Sequence, residues 1–197
     1  MDSYLNAETY TPYLRWMAST QQWKLRKNGD DEILDFGNAV FDISNTKFGW
    51  GAFSEGNPPD WQWDGDNGQG PKPTQDHKRG FSVEIYAPKM LGDDQPVAIW
   101  ESTSRGACLG MEALIAQVDD EQVKSKLPLV KYTGANSKRI GKGSTSIPDL
   151  EITGYVDRPE GFVTETPIGI KTPVAPVGVL AQAAPVETHT LSESTEF

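Results

Sequence analysis

The feature that most restricts what this chain can fold into is a single change of hydrophobic period. Residues 107–124, ACLGMEALIAQVDDEQVK, put Leu109, Met111, Leu114, Ile115 and Val118 on one helical stripe. The segments on both sides read as strands. GFSVEIYAP alternates, with Phe81, Val83 and Ile85 on one face and Ser82, Glu84 and Tyr86 on the other. Past a turn at Gly92-Asp93-Asp94, PVAIWEST reads as its partner. LPLVKYT and PDLEITGYV follow the helix and are again strand-like. Near the start, WKLRKNGDDEILDF sets Asn28-Gly29 between two strand-like runs, and Asn-Gly supplies the positive φ angles of a tight hairpin. Residues 33–43 and 46–53 are aromatic and β-branched with interspersed glycine, which suits bent strands. Residues 54–79 are Gly, Pro and Asp punctuation, expected to form a long functional or mobile loop.

Several antiparallel strands, one helix and a last hairpin are expected, and few small folds have that order. The fold class is therefore mainly β: an OB-like antiparallel barrel with one helix inserted before the last hairpin, plus a disordered C-terminal tail. With 197 residues the chain has room for one domain and a tail. Residues 1–160 form the domain. Residues 161–197 are rich in Pro and small residues, with no aromatic between Phe162 and Phe197, and are expected to stay flexible. No stretch approaches the roughly 20 apolar residues of a membrane span, and the first residues lack the order of a signal peptide. Cys108 is the lone cysteine, so a disulfide scaffold is excluded. The expectation is a soluble cytoplasmic protein.

The formal net charge of −10 argues against a polyanionic partner, but the charge is segregated. From Gln122 to Pro148 the chain carries Lys124, Lys126, Lys131, Lys138, Arg139 and Lys142 and no acid. Within it, TGANSKRIGKGSTSIP poses a choice between a phosphate-cradling loop, a basic hairpin and a plain polar turn. The nucleotide-binding loop needs Gly, four residues, Gly-Lys and a hydroxyl before a helix. Here Asn136 and Gly143 stand in the wrong places and strands flank the motif. A basic hairpin fits. Lys131, Lys138, Arg139 and Lys142, joined by Lys78 and Arg79, are candidate phosphate contacts. Trp50, Tyr86 and Trp100 are candidate platforms for base stacking. Trp61 and Trp63, set among Asp60, Asp64 and Asp66, could instead serve as a hot spot for a protein partner. WDGDNGQG fails as a calcium loop because Gln69 replaces the required glycine. His77 and His189 have no ligand spacing around them, and His77 is expected on the surface. Metal, cofactor and enzymatic function are not expected.

With GFSVEIYAP, the segment KYTGANSKRIGKGSTSIPDLEITGYV and a tail closing on SESTEF, the chain resembles bacteriophage single-stranded-DNA-binding proteins of the OB-fold type. The resemblance implies sequence-independent binding of single-stranded DNA in phage replication or recombination, in the host cytoplasm and without a cofactor, and is compatible with a homo-oligomer. It also implies that Glu193, Glu196 and Phe197 recruit replication or recombination proteins. The residues leave one rival open, a phage-encoded protein-interaction module such as a host-factor inhibitor or virion accessory protein, since residues 1–160 alone carry 17 − 24 = −7.

Overall fold

The computed structural model describes residues 11–27, 29–54 and 58–162. In chain order these form β1 (Tyr13–Met17), β2 (Gln22–Lys27), β3 (Asp30–Leu34), β4 (Asn38–Phe41), β5 (Lys47–Ala52), β6 (Asp60–Trp63) and β7 (Lys78–Tyr86). Then follow α1 (Pro88–Leu91), β8 (Val97–Ser102), α2 (Arg105–Ile115), β9 (Leu127–Ile140) and β10 (Gly143–Val156). The strands make one sheet in the order β10-β9-β4-β7-β8-β1-β2-β3, with β5 beside β7 and β6 outside β5. The protein is mainly β, as expected.

Local patterns act where they were expected to. Lys27 pairs with Asp30 across the turn in which Gly29 takes φ +94°. Phe81, Val83 and Ile85 are buried on the inner face of β7, and β8 pairs antiparallel with β7 from Tyr86↔Val97 to Phe81↔Ser102. The sheet departs from the expected barrel in two ways. It is mixed, because β1 runs parallel to β8 at Tyr13↔Ile99 and Leu14↔Trp100. It is also largely open, since no ladder among the described residues joins β10 to the far strands. Side chains and α2 fill that seam. Trp16 Nε1 donates to Ser146 O at 3.0 Å, linking β1 to β10. A Cβ on Gly110 would lie 2.7 Å from Pro148, and one on Gly106 would overlap Ser146 O, so α2 lies flat on β10.

The helix starts at Arg105 and ends at Ile115, shorter at its C-terminal end than the stripe suggests. Ser104 Oγ accepts from Ala107 N at its start. Asp119 then accepts from the backbone of Glu121 and Gln122 and opens a separate 3-10 turn at Gln122–Lys124. A short polar side chain that satisfies nearby N–H groups competes with helix continuation.

Packing continues to Phe162. Arg158 donates to both oxygens of the buried Asp42, at 2.9 and 3.1 Å, and to Phe162 O at 3.2 Å. The Phe162 ring is buried in a small cluster with Val40 and Leu127. The flexible tail is expected from residue 161, but Phe162 packs into the body; residues 163–197, with Glu193, Glu196 and Phe197, lie outside the described residues.

The basic stretch is not a loop. β9 and β10 stay paired through it, from Val156↔Leu127 to Gly143↔Ile140, leaving only Gly141 and Lys142 as the turn. Gly141 has φ +56°, the left-handed conformation that a two-residue hairpin needs. A bulge near Thr133, where Gly134 has φ +140°, interrupts the register between Asp149 and Leu150 and bends the ribbon. Beyond it, residues 136–144 are all exposed. Five residues of strand make an arm of roughly 16 Å.

Candidate nucleic-acid interface

The arm gathers three of the expected phosphate contacts. Lys138 and Arg139 are exposed near its end and Lys142 sits in the turn. None of the ion pairs among the described residues uses them, and no acid occurs from Ser137 to Pro148. Ile140, between Arg139 and Gly141, is 38% exposed.

Arg105 joins this group at the arm's base. It is exposed in the first turn of α2, and its neighbour Gly106 abuts Thr145 and Ser146. Thr145 stands opposite Lys138 in the ladder. A cation in the first turn of a helix faces the positive end of the macrodipole, so Arg105 does not serve the helix. That unfavourable placement was the available sequence signal for it.

The other expected contacts are placed differently. Arg79 is neutralised: its guanidinium makes two bonds to Asp64, at 2.7 and 2.6 Å, and covers the Trp50 ring at 5.3 Å. Trp50 is half-buried under it, its Nε1 donating to Gly70 O at 2.9 Å. Both are committed to folding residues 58–79 onto the sheet, which corrects their assignment to DNA. Lys78 is exposed at the start of β7. Lys131 is exposed, off the arm, and stands opposite Glu151 in the ladder, a carboxylate neighbour that the arm cations lack.

Trp100 cannot be a stacking platform. It is fully buried, with ring centroids 4.7 Å from Phe81 and 4.9 Å from Trp23. Stacking on a base returns about 1–3 kcal/mol, whereas withdrawing a core tryptophan forfeits about 3–5 kcal/mol. Burial wins. Tyr86 packs on Phe162 at 5.7 Å and sits at the opposite end of β7 from Lys78. His77, expected on the surface, is buried, with Nδ1 2.8 Å from Thr74 Oγ1 and Nε2 3.4 Å from Asp60.

A second surface lies on the outer face of β7 and β8. The register Ser82↔Glu101 and Glu84↔Ile99 brings these four side chains to one side. Lys47, Asp60, Trp61 and Trp63 complete a groove of about 620 Å³. The two indoles stack at 4.3 Å with 13° between planes. They lie flat because glycines lie beneath them: a Cβ at Gly51 or Gly80 would come within 2.8 Å of the Trp61 ring, and one at Gly49 would lie 2.9 Å from the Trp63 ring. Trp61 Nε1 donates to Glu101 Oε2 at 3.0 Å and so fixes that carboxylate. Trp63 remains 39% exposed.

Cys108 lies between these regions, with Sγ 3.7 Å from Arg79 O and 3.9 Å from Ser102 O. Burial, helped by Glu112, pushes its thiol up to about 11. Burial also raises Tyr132, with a contribution from Asp149. Among the described residues no group of three or more His, Cys, Asp and Glu could hold a metal, and no helix is long and apolar enough to cross a membrane. Comparisons with protein-family models, with curated proteins and with solved structures give no match.

Proposed function

We propose that this protein binds single-stranded DNA without sequence preference, through the β9–β10 arm and not through an aromatic platform. The observation that carries this is the cluster Lys138, Arg139 and Lys142 on an exposed ribbon with no carboxylate partner among the described residues. Cations that are left unpaired on an otherwise acidic protein concentrate its attraction for phosphate in one place. The strand order supports the same reading. β4 with β5, then β7, β8, the helix α2, β9 and β10, with β9 returning to pair with β4, is an order that an OB-type reading calls for, and OB-type ligands lie near loops and the last hairpin. Action in phage replication or recombination belongs to this proposal.

Four cations on phosphates of a single strand, Arg105 included, give a log–log salt slope of about −0.7 × 4, or roughly −3. Anisotropy of a labelled oligo-dT between 50 and 200 mM salt tests it. Absence of binding at micromolar protein, or binding indifferent to salt, overturns the proposal.

The groove favours a second role beside the first. Glu84, Glu101 and Asp60 against Lys47 alone make it hostile to phosphate, while a fixed, exposed indole suits a protein contact. The protein-interaction reading therefore rests on the groove.

A further inference from the structure

The arm and the groove are complementary in sign. The arm ends in Lys138, Arg139 and Lys142 around an exposed Ile140. The groove offers Glu84, Glu101 and Asp60 around the exposed face of Trp63 and the side chain of Ile99. A cation over an indole face gains a favourable contact on top of its ion pair. An arm of roughly 16 Å is long enough to reach beyond the body that carries it. No residue of β9 or β10 lines the groove, so the arm of the same chain does not fill it.

We propose that the groove receives the β9–β10 arm of a second copy of this chain. The contact is heterologous: arm of one molecule, groove of the next, with a free arm and a free groove left at the two ends. Such contacts propagate into open chains or close into rings instead of stopping at a dimer. Lys138, on the same face of β9 as Ile140, approaches Glu84 and Glu101 while Ile140 packs on the Trp63 face, and the seated arm is withdrawn from solvent. The same cations then serve a neighbour or a phosphate backbone, and the two occupants exclude one another. The inference rests on the groove as a protein-contact surface and is independent of the DNA reading.

The test is a charge swap followed by sedimentation velocity on the full chain at low salt. The wild type is expected to form species beyond the dimer as concentration rises, and to return to monomer at 500 mM salt. Lys138→Glu with Arg139→Glu gives one variant, and Glu84→Arg with Glu101→Arg the other. Each alone is expected to associate at least about tenfold more weakly, the size of effect that losing a close ion pair produces. Mixed in equal amounts, they restore association, because each supplies the partner that the other lacks. Circular dichroism establishes that both variants are folded. A wild type that stays monomeric throughout overturns the proposal. So does a folded pair of variants that fails to associate on mixing, or a groove variant that associates like the wild type. Oligo-dT separates the two readings: the groove variant binds DNA at least as tightly as the wild type, because Glu→Arg adds positive charge, while the arm variant loses DNA affinity. Loss of association with DNA binding intact in the groove variant therefore speaks to the groove alone.

Discussion

The arm and the β5–β6 flap are both two-stranded extensions of the sheet, and they are built on opposite plans. In the flap the groups that hold the segment to the sheet have partners within the molecule. Arg79 meets Asp64, Trp50 meets Gly70, Trp61 meets Glu101, and His77 is buried against Thr74 and Asp60. In the arm, Ser, Thr and Asn continue the ladder, and the cations at its end have no such partner. The flap spends its charge on its own folding and the arm keeps its charge for something else. Abundance of Lys and Arg is thus a weaker guide to a phosphate site than the absence of a carboxylate beside them.

The comparison breaks most visibly at the glycines. Gly80→Val forces side-chain atoms into Ser102 O and the Trp61 ring, and should cost at least about 3 kcal/mol in urea denaturation. Gly143→Ala in the arm meets only Ile140 O at 3.9 Å and should change stability by less than about 0.5 kcal/mol. Equal losses would mean that the arm is as tightly packed as the flap. A smaller effect is expected on the indole: Trp61→Ala removes a half-buried ring and the bond to Glu101, for about 2 kcal/mol, with oligo-dT affinity unchanged.

Arg79→Ala and Lys138→Ala sharpen the contrast further. The first should lose about 1 kcal/mol of stability, because the Asp64 pair is partly exposed, and shift DNA affinity less than twofold. The second should leave stability within about 0.5 kcal/mol and weaken DNA binding several-fold at low salt. Reversal of that pattern would return Arg79 to the interface.

Cys108 reports on the base of the flap. With its thiol pushed up to about 11, it is protonated at pH 8, and only the thiolate reacts. Labelling should run on the order of a hundredfold slower than for an exposed thiol and speed up as pH rises. Gly80→Val should accelerate it, while Gly143→Ala should not.

Short-range order was legible in the sequence. The Gly29 hairpin, the alternation of β7, its pairing with β8 and the helical stripe all depend on neighbours within a few residues. Position across the sheet was not. PVAIWEST is apolar on both faces, so its parity does not reveal that Ala98 and Trp100 turn inward while Ile99 and Glu101 turn out. The parallel pairing of β1 with β8 joins segments far apart in the chain and leaves no local mark. The neutralisation of Arg79 comes from Asp64 across the β5–β6 flap. The groove itself exists only through the register Ser82↔Glu101. The cations of the arm were legible because they are contiguous, although their strand conformation was not, since Ser, Asn and Gly read as loop.

The salt dependence of oligo-dT binding by the wild type and by the Lys138→Ala, Arg139→Ala, Lys142→Ala triple variant tests the role of the arm most directly. A slope near −3 that falls to about −1 in the triple variant is the predicted result. An unchanged slope, or a wild type that does not bind, would contradict it.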